Sequence, residues 1–102
     1  MKSSHYLGNE KKLALTINSQ GFSLDRDPWQ VTVVNGKNQI VCDRTHNSAV
    51  DDHNQWYLLI DTRLLGVGTP KVIIEIDVPD IDFDDNYRHE VYVKPFDPIV
   101  RP

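Results

Sequence analysis

Four histidines and one cysteine are the residues best suited to acid–base or metal chemistry, and their spacing predicts neither. His46 and His53 stand seven residues apart in a polar stretch, without the His-x-x-x-His or Cys-x-x-Cys spacing of a zinc site. No serine lies in a Gly-x-Ser-x-Gly elbow. Cys42 alternates in phase with Ile40 and should be buried, where thiols are usually inert. The sequence therefore predicts no catalytic, cofactor-binding or metal-binding residue, and a protein that is not an enzyme.

Acidic side chains are concentrated between residues 75 and 90, which hold seven carboxylates and a single arginine. The alternation of Asp80, Asp82 and Asp84 matches the first three ligands of an EF-hand calcium loop. However, Asp85 stands where that loop needs a glycine, and Val91 stands where it needs a bidentate glutamate. The pattern argues against an EF-hand, and a cation site of another kind remains the alternative interpretation.

We predict instead that this segment is a structural loop, built by Asp80, Asp82, Asp84, Asp85 and Arg88. Pro79 removes a backbone donor and directs the chain out of the preceding strand. The guanidinium of Arg88 is expected to bridge two of the aspartates, while the others meet water or the amides of the turn. Ile81 and Phe83 should turn back onto the end of the domain, and the next strand should start at Glu90.

Aromatic side chains could form a platform for a peptide or a carbohydrate. Trp29 and Trp56 fall in register with apolar residues, which indicates core positions. Tyr57 and Tyr92 fall on the opposite phase and are predicted to face outward, where they could contact a partner.

The elements that carry these residues are predicted to be strands. The chain has 12 aspartates against 3 glutamates, only 2 alanines, and 19 isoleucines and valines, so helix formers are scarce and β-branched residues abundant. Apolar residues alternate at period two in separate windows, each typical of a half-buried strand: Leu13, Leu15, Ile17; Trp29, Val31, Val33; Ile40, Cys42; Trp56, Leu58, Ile60; Val72, Ile74, Ile76, Val78; Val91, Val93.

Two connections have recognisable local signals. Asn35 and Gly36 lie between two windows and predict a hairpin turn, because both residue types accept positive φ values. Asp61 is predicted to cap one short helical turn that the glycine at position 66 ends.

These strands predict an all-β fold, an immunoglobulin-like antiparallel β-sandwich of six or seven strands. Residues 1–102 should form one domain, because a chain of this length builds one core. Its interior should contain alternating residues of several strands: Leu15, Ile17, Val31, Val33, Leu58, Ile60, Ile74 and Ile76. A small closed barrel is the alternative, since strand patterning alone does not distinguish the two.

Charge and hydropathy narrow the classes of partner. A net charge of −4 and a pI near 5.4 argue against nucleic-acid binding, which needs a basic face. No apolar run approaches the roughly 20 residues of a membrane helix. The first ten residues contain no apolar segment of the kind found in secretory signals, so we expect synthesis and folding in the cytoplasm.

Three segments carry a resemblance to a known group of proteins: residues 21–33, from Gly-Phe-Ser-Leu-Asp to Trp-Gln-Val-Thr-Val; residues 61–68, Asp-Thr-Arg-Leu-Leu-Gly-Val-Gly; and residues 78–91, which contain Pro-Asp-x-Asp-Phe and Arg-x-Glu-Val. They resemble small β-sandwich proteins of phages and prophage-like elements of Bacteroidetes. The middle segment is distantly similar to the N-terminal domain of phage baseplate upper proteins. Asn86 and His89 depart from the glycine and threonine common in that group.

Two functions follow as hypotheses. The resemblance implies a non-enzymatic structural or interaction module of a phage-like particle, a tail or baseplate component or an adaptor located in the virion. Its partners would be other protein subunits, either tail proteins or further copies of itself. The alternative is a glycan- or peptide-binding domain at a cell surface, suggested by the tyrosines that are predicted to face outward.

Overall fold

The computed structural model describes residues 4–102, which form nine strands and one short 3₁₀ helix. The helix covers Thr62–Leu64. The strands are β1 (His5–Tyr6), β2 (Glu10–Leu15), β3 (Trp29–Asn35), β4 (Asn38–Asp43), β5 (Ser48–Val50), β6 (Trp56–Asp61), β7 (Lys71–Pro79), β8 (Tyr87–Pro95) and β9 (Ile99–Val100). No helix in the described part of the chain is long and apolar enough to cross a membrane.

The strands form two antiparallel sheets and one small parallel pair. One sheet has four strands in the order β4-β3-β7-β8, and the other has three in the order β2-β6-β5. The two-residue strands β1 and β9 pair in parallel and were not anticipated from the sequence. The prediction of an all-β fold with antiparallel sheets and a sandwich-like core is confirmed.

The core contains apolar side chains from both sheets. Its buried members are Leu15, Trp29, Val31, Val33, Ile40, Cys42, Trp56, Leu58, Ile60, Leu65, Ile76, Val78, Phe96 and Ile99. Six of the eight predicted core residues are among them, whereas Ile17 and Ile74 are half-buried at its margin. Burial also raises the pKa of the Cys42 thiol to about 11, consistent with the inert thiol that the sequence predicts.

The turn between β3 and β4 follows the predicted position with one difference. Asn35 and Asn38 form the last pair of the ladder, so the loop itself consists of Gly36 and Lys37. Gly36 has a φ of 59°, while Asn35 and Lys37 keep negative values. A positive φ at the first loop residue alone is the pattern of a II′ hairpin turn, which favours glycine there.

The predicted cap at residue 61 is confirmed. The carboxylate of Asp61 accepts a hydrogen bond of 3.0 Å from the backbone N–H of Arg63, at the start of the 3₁₀ helix. Gly66 follows the helix with a φ of 79°, a value that glycine accepts most readily. This turn connects the three-stranded sheet to β7 of the four-stranded sheet.

Candidate interaction surface at strand β8

Strand β8 is a long edge strand with one side unpaired. It pairs with β7 over nine residues, from Tyr87 opposite Pro79 to Pro95 opposite Lys71. No strand among residues 4–102 lies along its other side. A row of backbone N–H and C=O groups is therefore open to pairing with another chain.

The hydrogen bonds at both ends of this hairpin show which residues point to the open side. The Asp80 N–H donates to the Asn86 carbonyl at 2.9 Å, and the Phe96 N–H donates to the Pro70 carbonyl at 3.0 Å. Because such bonds alternate along an antiparallel ladder, the even-numbered residues of β8 face β7. His89, Val91 and Val93 therefore direct both backbone groups to the open side, whereas Pro95 offers only its carbonyl.

The outer face of β8 carries two exposed valines between His89 and Pro95. Val91 is 52% exposed and Val93 is 63% exposed. Val93 lies opposite Ile73, which in turn lies opposite Thr32 on β3, so one cross-strand row continues across the sheet. The prediction that Val91 and Val93 mark a half-buried strand face is wrong, because no layer of the described chain covers this side of the sheet.

Tyr92 belongs to the opposite face from the one that the sequence predicts. It lies opposite Ile74, which pairs with the fully buried Val31, and residues directly opposite each other share a face. Tyr92 therefore points to the core-facing side of the sheet and is still 43% exposed. The prediction that Tyr92 faces outward is wrong, because the alternating pattern of β8 shows the period but not which face is covered.

A groove of about 180 Å³ borders this side of β8. Residues 16–19, which follow β2, form one wall, and Ile74, Tyr92 and Lys94 form the other. The Tyr92 hydroxyl donates a hydrogen bond of 2.6 Å to Glu90. The groove combines an aromatic ring, a lysine and the backbone of an irregular segment. These groups suit contact with a peptide better than they suit catalysis.

Charges of both signs alternate along the core-facing side of β8. Arg88 Nε donates to Glu90 Oε2 at 2.9 Å. The hydrogen bond from the Tyr92 hydroxyl, and then the one from Arg88, lower the pKa of Glu90, so this carboxylate is charged at neutral pH. Lys94 makes no ion pair with any residue in the described range. The strand therefore presents a negative charge near its middle and a positive charge near its end.

The acidic segment forms the predicted loop between β7 and β8, with a different partner for its arginine. Arg88 bridges Asp80 and Glu90 rather than two aspartates. Asp80 also accepts from the Asp82 N–H at 3.0 Å, and Asp85 accepts from the Tyr87 N–H at 3.1 Å. The Asp82 amide first, and then Arg88, hold the pKa of Asp80 below its ordinary value.

Two expectations about this loop are wrong. Ile81 is 89% exposed and Phe83 is 47% exposed, so neither packs onto the end of the domain. The loop instead closes on itself, with the Asn86 N–H donating to the Phe83 carbonyl at 2.9 Å. Strand β8 also starts at Tyr87, before the predicted Glu90, because the ladder extends to the residue opposite Pro79. Asp82 and Asp84 are exposed.

Tyr57 lies on the other sheet, away from β8. It alternates with the buried Trp56 and Leu58 of β6, as predicted for an outward-facing residue, but it is half-buried. Its hydroxyl donates to Asp51 at 3.2 Å, and the Lys12 ammonium lies 4.6 Å from the ring centroid. The two tyrosines predicted to contact a partner therefore do not form one surface.

The two histidines of the polar stretch each lie next to an aspartate. Asp51, Asp52 and His53 have one potential ligand atom each within 4.8 Å of the others. However, one Asp51 oxygen already accepts from the N–H groups of His53 and Gln55, and the other accepts from Tyr57. His46 is instead bonded to Asp43 at 2.9 Å. The carboxylate of Asp51 therefore acts in the structure of its loop.

Comparison of the chain with protein-family models, with curated proteins and with solved structures found no match in any of the three. The function of the β8 surface must therefore be inferred from its chemistry. The sequence pattern contained one signal for it, the alternating valines at positions 91 and 93, but not the strand order that leaves them uncovered.

Proposed function

We propose that this protein is a non-enzymatic interaction module that docks onto other proteins by strand addition at β8. The observation that carries the proposal is the open side of β8, where His89, Val91 and Val93 each offer an unpaired N–H and C=O next to exposed apolar side chains. An added strand would pair these groups and cover the two valines at the same time.

The composition of β8 favours docking over simple protection of the edge. Natural edge strands are commonly guarded by charges, prolines or bulges in the paired region. Here Pro95 removes one N–H at the end of the strand, and the charged residues Arg88, Glu90 and Lys94 all lie on the core-facing side, so Val91 and Val93 have no charged neighbour from β8 on the outer face. The register with β7 is regular from end to end, so no bulge turns the strand away. The middle of the strand therefore keeps a full set of hydrogen-bonding groups.

We further propose that the assembly served by this surface is a phage-like particle, with the protein as a tail or baseplate component or an adaptor. The sequence resemblance to small β-sandwich proteins of Bacteroidetes phages supports this assignment. Repeated subunits in such particles need surfaces that pair without catalysis. A peptide- or glycan-binding domain at a cell surface is the second candidate, favoured by the groove beside Tyr92 and Lys94.

Within the all-β architecture, we propose a fold that is immunoglobulin-like in its layers. Seven strands of three or more residues divide four and three between two sheets, as in a constant-type immunoglobulin domain. In this chain, each inner strand of the four-stranded sheet, β3 or β7, comes before the edge strand of its hairpin. In an immunoglobulin domain, the corresponding inner strands come after the edge strands of their hairpins. The likeness therefore concerns architecture rather than connectivity.

Substitutions at Val93 test the docking surface. The chain is co-expressed with the proteins that neighbouring genes encode, including any tail proteins among them, and complexes are isolated by affinity and size-exclusion chromatography. Val93→Pro removes one N–H that points to the open side and no ladder bond to β7. We expect it to abolish complexes that the wild type forms, either with a tail protein or with itself.

Val50→Lys is the matched control, because Val50 is a 45% exposed valine at the edge of the other sheet. This variant should keep the complexes, whereas Val93→Lys should lose them. A wild-type chain that binds neither a tail protein nor itself would overturn the proposal. So would complexes that survive Val93→Pro in a folded variant.

A further inference from the structure

We infer that the strand added to β8 is β8 of a second copy of this chain, antiparallel and related by a two-fold axis at Tyr92. This inference rests on the proposed function and names its partner. The resulting dimer would join the four-stranded sheets of two copies into one continuous sheet. Such an isologous contact uses the same surface on both copies, which is the commonest arrangement in homodimers.

The pattern of open backbone groups fits this register. With the axis at Tyr92, Val91 lies opposite Val93 of the second copy, and both pairs of these residues can exchange N–H and C=O bonds. His89 lies opposite Pro95 of the second copy, at the margin of the ladder. The missing proline N–H therefore costs a bond only at the two ends.

Charge complementarity selects the same register. The axis at Tyr92 places Glu90 opposite Lys94 of the second copy, and the symmetric contact repeats the pair. Opposite charges at directly facing positions stabilise an antiparallel pair, and like charges destabilise it. The carboxylate of Glu90 already accepts from Arg88 and Tyr92, and it has further lone pairs for the ammonium.

Neighbouring registers are less favourable. An axis at Val91 would place Arg88 opposite Lys94 of the second copy, with like charges facing each other. An axis at Glu90 would place two copies of that carboxylate face to face. An axis at Val93 would move Pro95 opposite Val91 and remove hydrogen bonds near the middle of the ladder. The axis at Tyr92 is the one of these that keeps both the hydrogen bonds and the charge pairs.

The outer face adds an apolar contact. Val91 and Val93 of both copies would form a cluster of four valines, continuous with Ile73 on each side. These are among the most exposed apolar side chains of the described strands, at 52% and 63%. Their burial supplies the hydrophobic contribution that a ladder of hydrogen bonds alone lacks.

Cysteine cross-linking tests the register. The native Cys42 is fully buried with a raised pKa, so it contributes little background under mild oxidation. In the proposed register two copies of Tyr92 form a non-hydrogen-bonded pair with Cα atoms roughly 4.5 Å apart, which is within disulfide range. Tyr92→Cys should therefore yield a disulfide-linked dimer, whereas Val91→Cys alone should remain largely monomeric on a non-reducing gel. A disulfide-linked dimer of Val91→Cys but not of Tyr92→Cys would place the axis at Val91 and overturn the proposed register.

A charge exchange tests the electrostatic argument by sedimentation equilibrium. Lys94→Glu places two glutamates opposite each other at both symmetric contacts and should weaken dimerisation roughly tenfold. Adding Glu90→Lys to that variant recreates both intermolecular pairs with reversed sign and should restore part of the affinity, because the same change removes the Arg88–Glu90 pair within each copy. Circular dichroism confirms that each variant is folded. An unchanged dimer in Lys94→Glu would overturn the inference.

The results also separate this inference from the proposed function. A wild-type chain that stays monomeric at high concentration, yet binds a tail protein in a manner that Val93→Pro abolishes, would overturn the dimer and leave docking at β8 intact. A chain that does neither would overturn both.

Discussion

Trp29 of β3 and Trp56 of β6 meet edge to face between the two sheets, with ring centroids 5.7 Å apart and ring planes at 77°. Both indoles also donate to the loop that leads into β3. Trp29 Nε1 bonds to the Leu24 carbonyl at 3.0 Å, and Trp56 Nε1 bonds to the Asp25 carboxylate at 2.8 Å. The pair therefore joins the sheets and holds this loop over one end of the core.

Substitutions of Trp56 should separate the contribution of ring packing from that of the hydrogen bond to Asp25. Trp56→Ala removes the ring and should lower the free energy of unfolding by about 3–5 kcal/mol. Trp56→Phe keeps an aromatic ring in the interior and loses the hydrogen bond to Asp25, whose carboxylate is exposed and can turn to water. We expect a much smaller loss for Trp56→Phe in urea denaturation. Equal losses would show that the hydrogen bond, not the packing, is the larger contribution.

Asp27 should be the most sensitive charged residue in the same loop. Its side chain is 1% exposed and accepts from the Ser23 N–H at 2.8 Å and from Arg26 at 3.0 and 3.1 Å. Asp27→Ala leaves the Ser23 N–H without its acceptor and should cost about 1–3 kcal/mol at neutral pH. Arg26→Ala keeps the carboxylate and its hydrogen bond from Ser23, so the difference between the two variants separates the contribution of the Arg26 guanidinium from that of the backbone bond.

The same residue predicts a pH dependence. The hydrogen bond from Arg26 and that from Ser23 lower the pKa of Asp27 in the folded state, although burial opposes them. Because the pKa of Asp27 is lower in the folded state, its charged carboxylate stabilises the fold fully above the unfolded pKa of about 4. This stabilisation is lost as the pH falls through the folded pKa. In acid denaturation, Asp27→Ala should therefore lose less stability than the wild type below about pH 4.

His89 predicts a dependence of the opposite sign. Its Nδ1 lies 2.8 Å from Asp77 directly across the β7–β8 ladder, and this hydrogen bond raises the pKa of the histidine. Because the pKa of His89 is higher in the folded state, the protonated histidine stabilises the fold fully below the unfolded pKa of about 6.5. This stabilisation is lost as the pH rises through the folded pKa. The melting temperature of the wild type should fall slightly over that range, whereas that of His89→Gln should not. The histidine is 57% exposed, so the effect should be small.

Ile76→Ala tests the location of the core. Ile76 is 1% exposed between β3 and β8, so the truncation should cost about 2–5 kcal/mol in urea denaturation. Ile74 lies on the same face of β7 but is half-buried beside the groove. Ile74→Ala should therefore cost clearly less. A larger loss of stability for Ile74→Ala than for Ile76→Ala would contradict the position of Ile74 at the margin of the core.

Arg88→Ala should lower the melting temperature by a few degrees, because it removes the bridge between Asp80 and Glu90 that holds the loop to β8. Arg88→Lys should recover only part of the loss, since an ammonium lacks the planar fork that reaches both carboxylates. Millimolar calcium should leave the melting temperature of the wild type unchanged. A large rise that Asp82→Ala abolishes would show that the loop is a cation site.

The local features of this chain were determined by the sequence itself. Alternation at period two predicts the strands that carry Val31 and Leu58, because successive side chains of a strand point to opposite faces whatever surrounds them. The turn at Gly36 and the cap at Asp61 depend on φ values and on hydrogen bonds within a few residues. Such features need no knowledge of distant parts of the chain.

The sequence could not show which face of β8 is covered. Val91 and Val93 have the same alternation as buried strand residues, yet they are exposed, and Tyr92 lies on the core-facing side. Similarly, Ile81 and Phe83 are apolar but exposed, at 89% and 47%. Burial and edge position depend on which strands and layers lie next to a segment, and these neighbours come from remote parts of the chain. Only the tertiary structure, through the strand order β4-β3-β7-β8, decided that β8 has an open side.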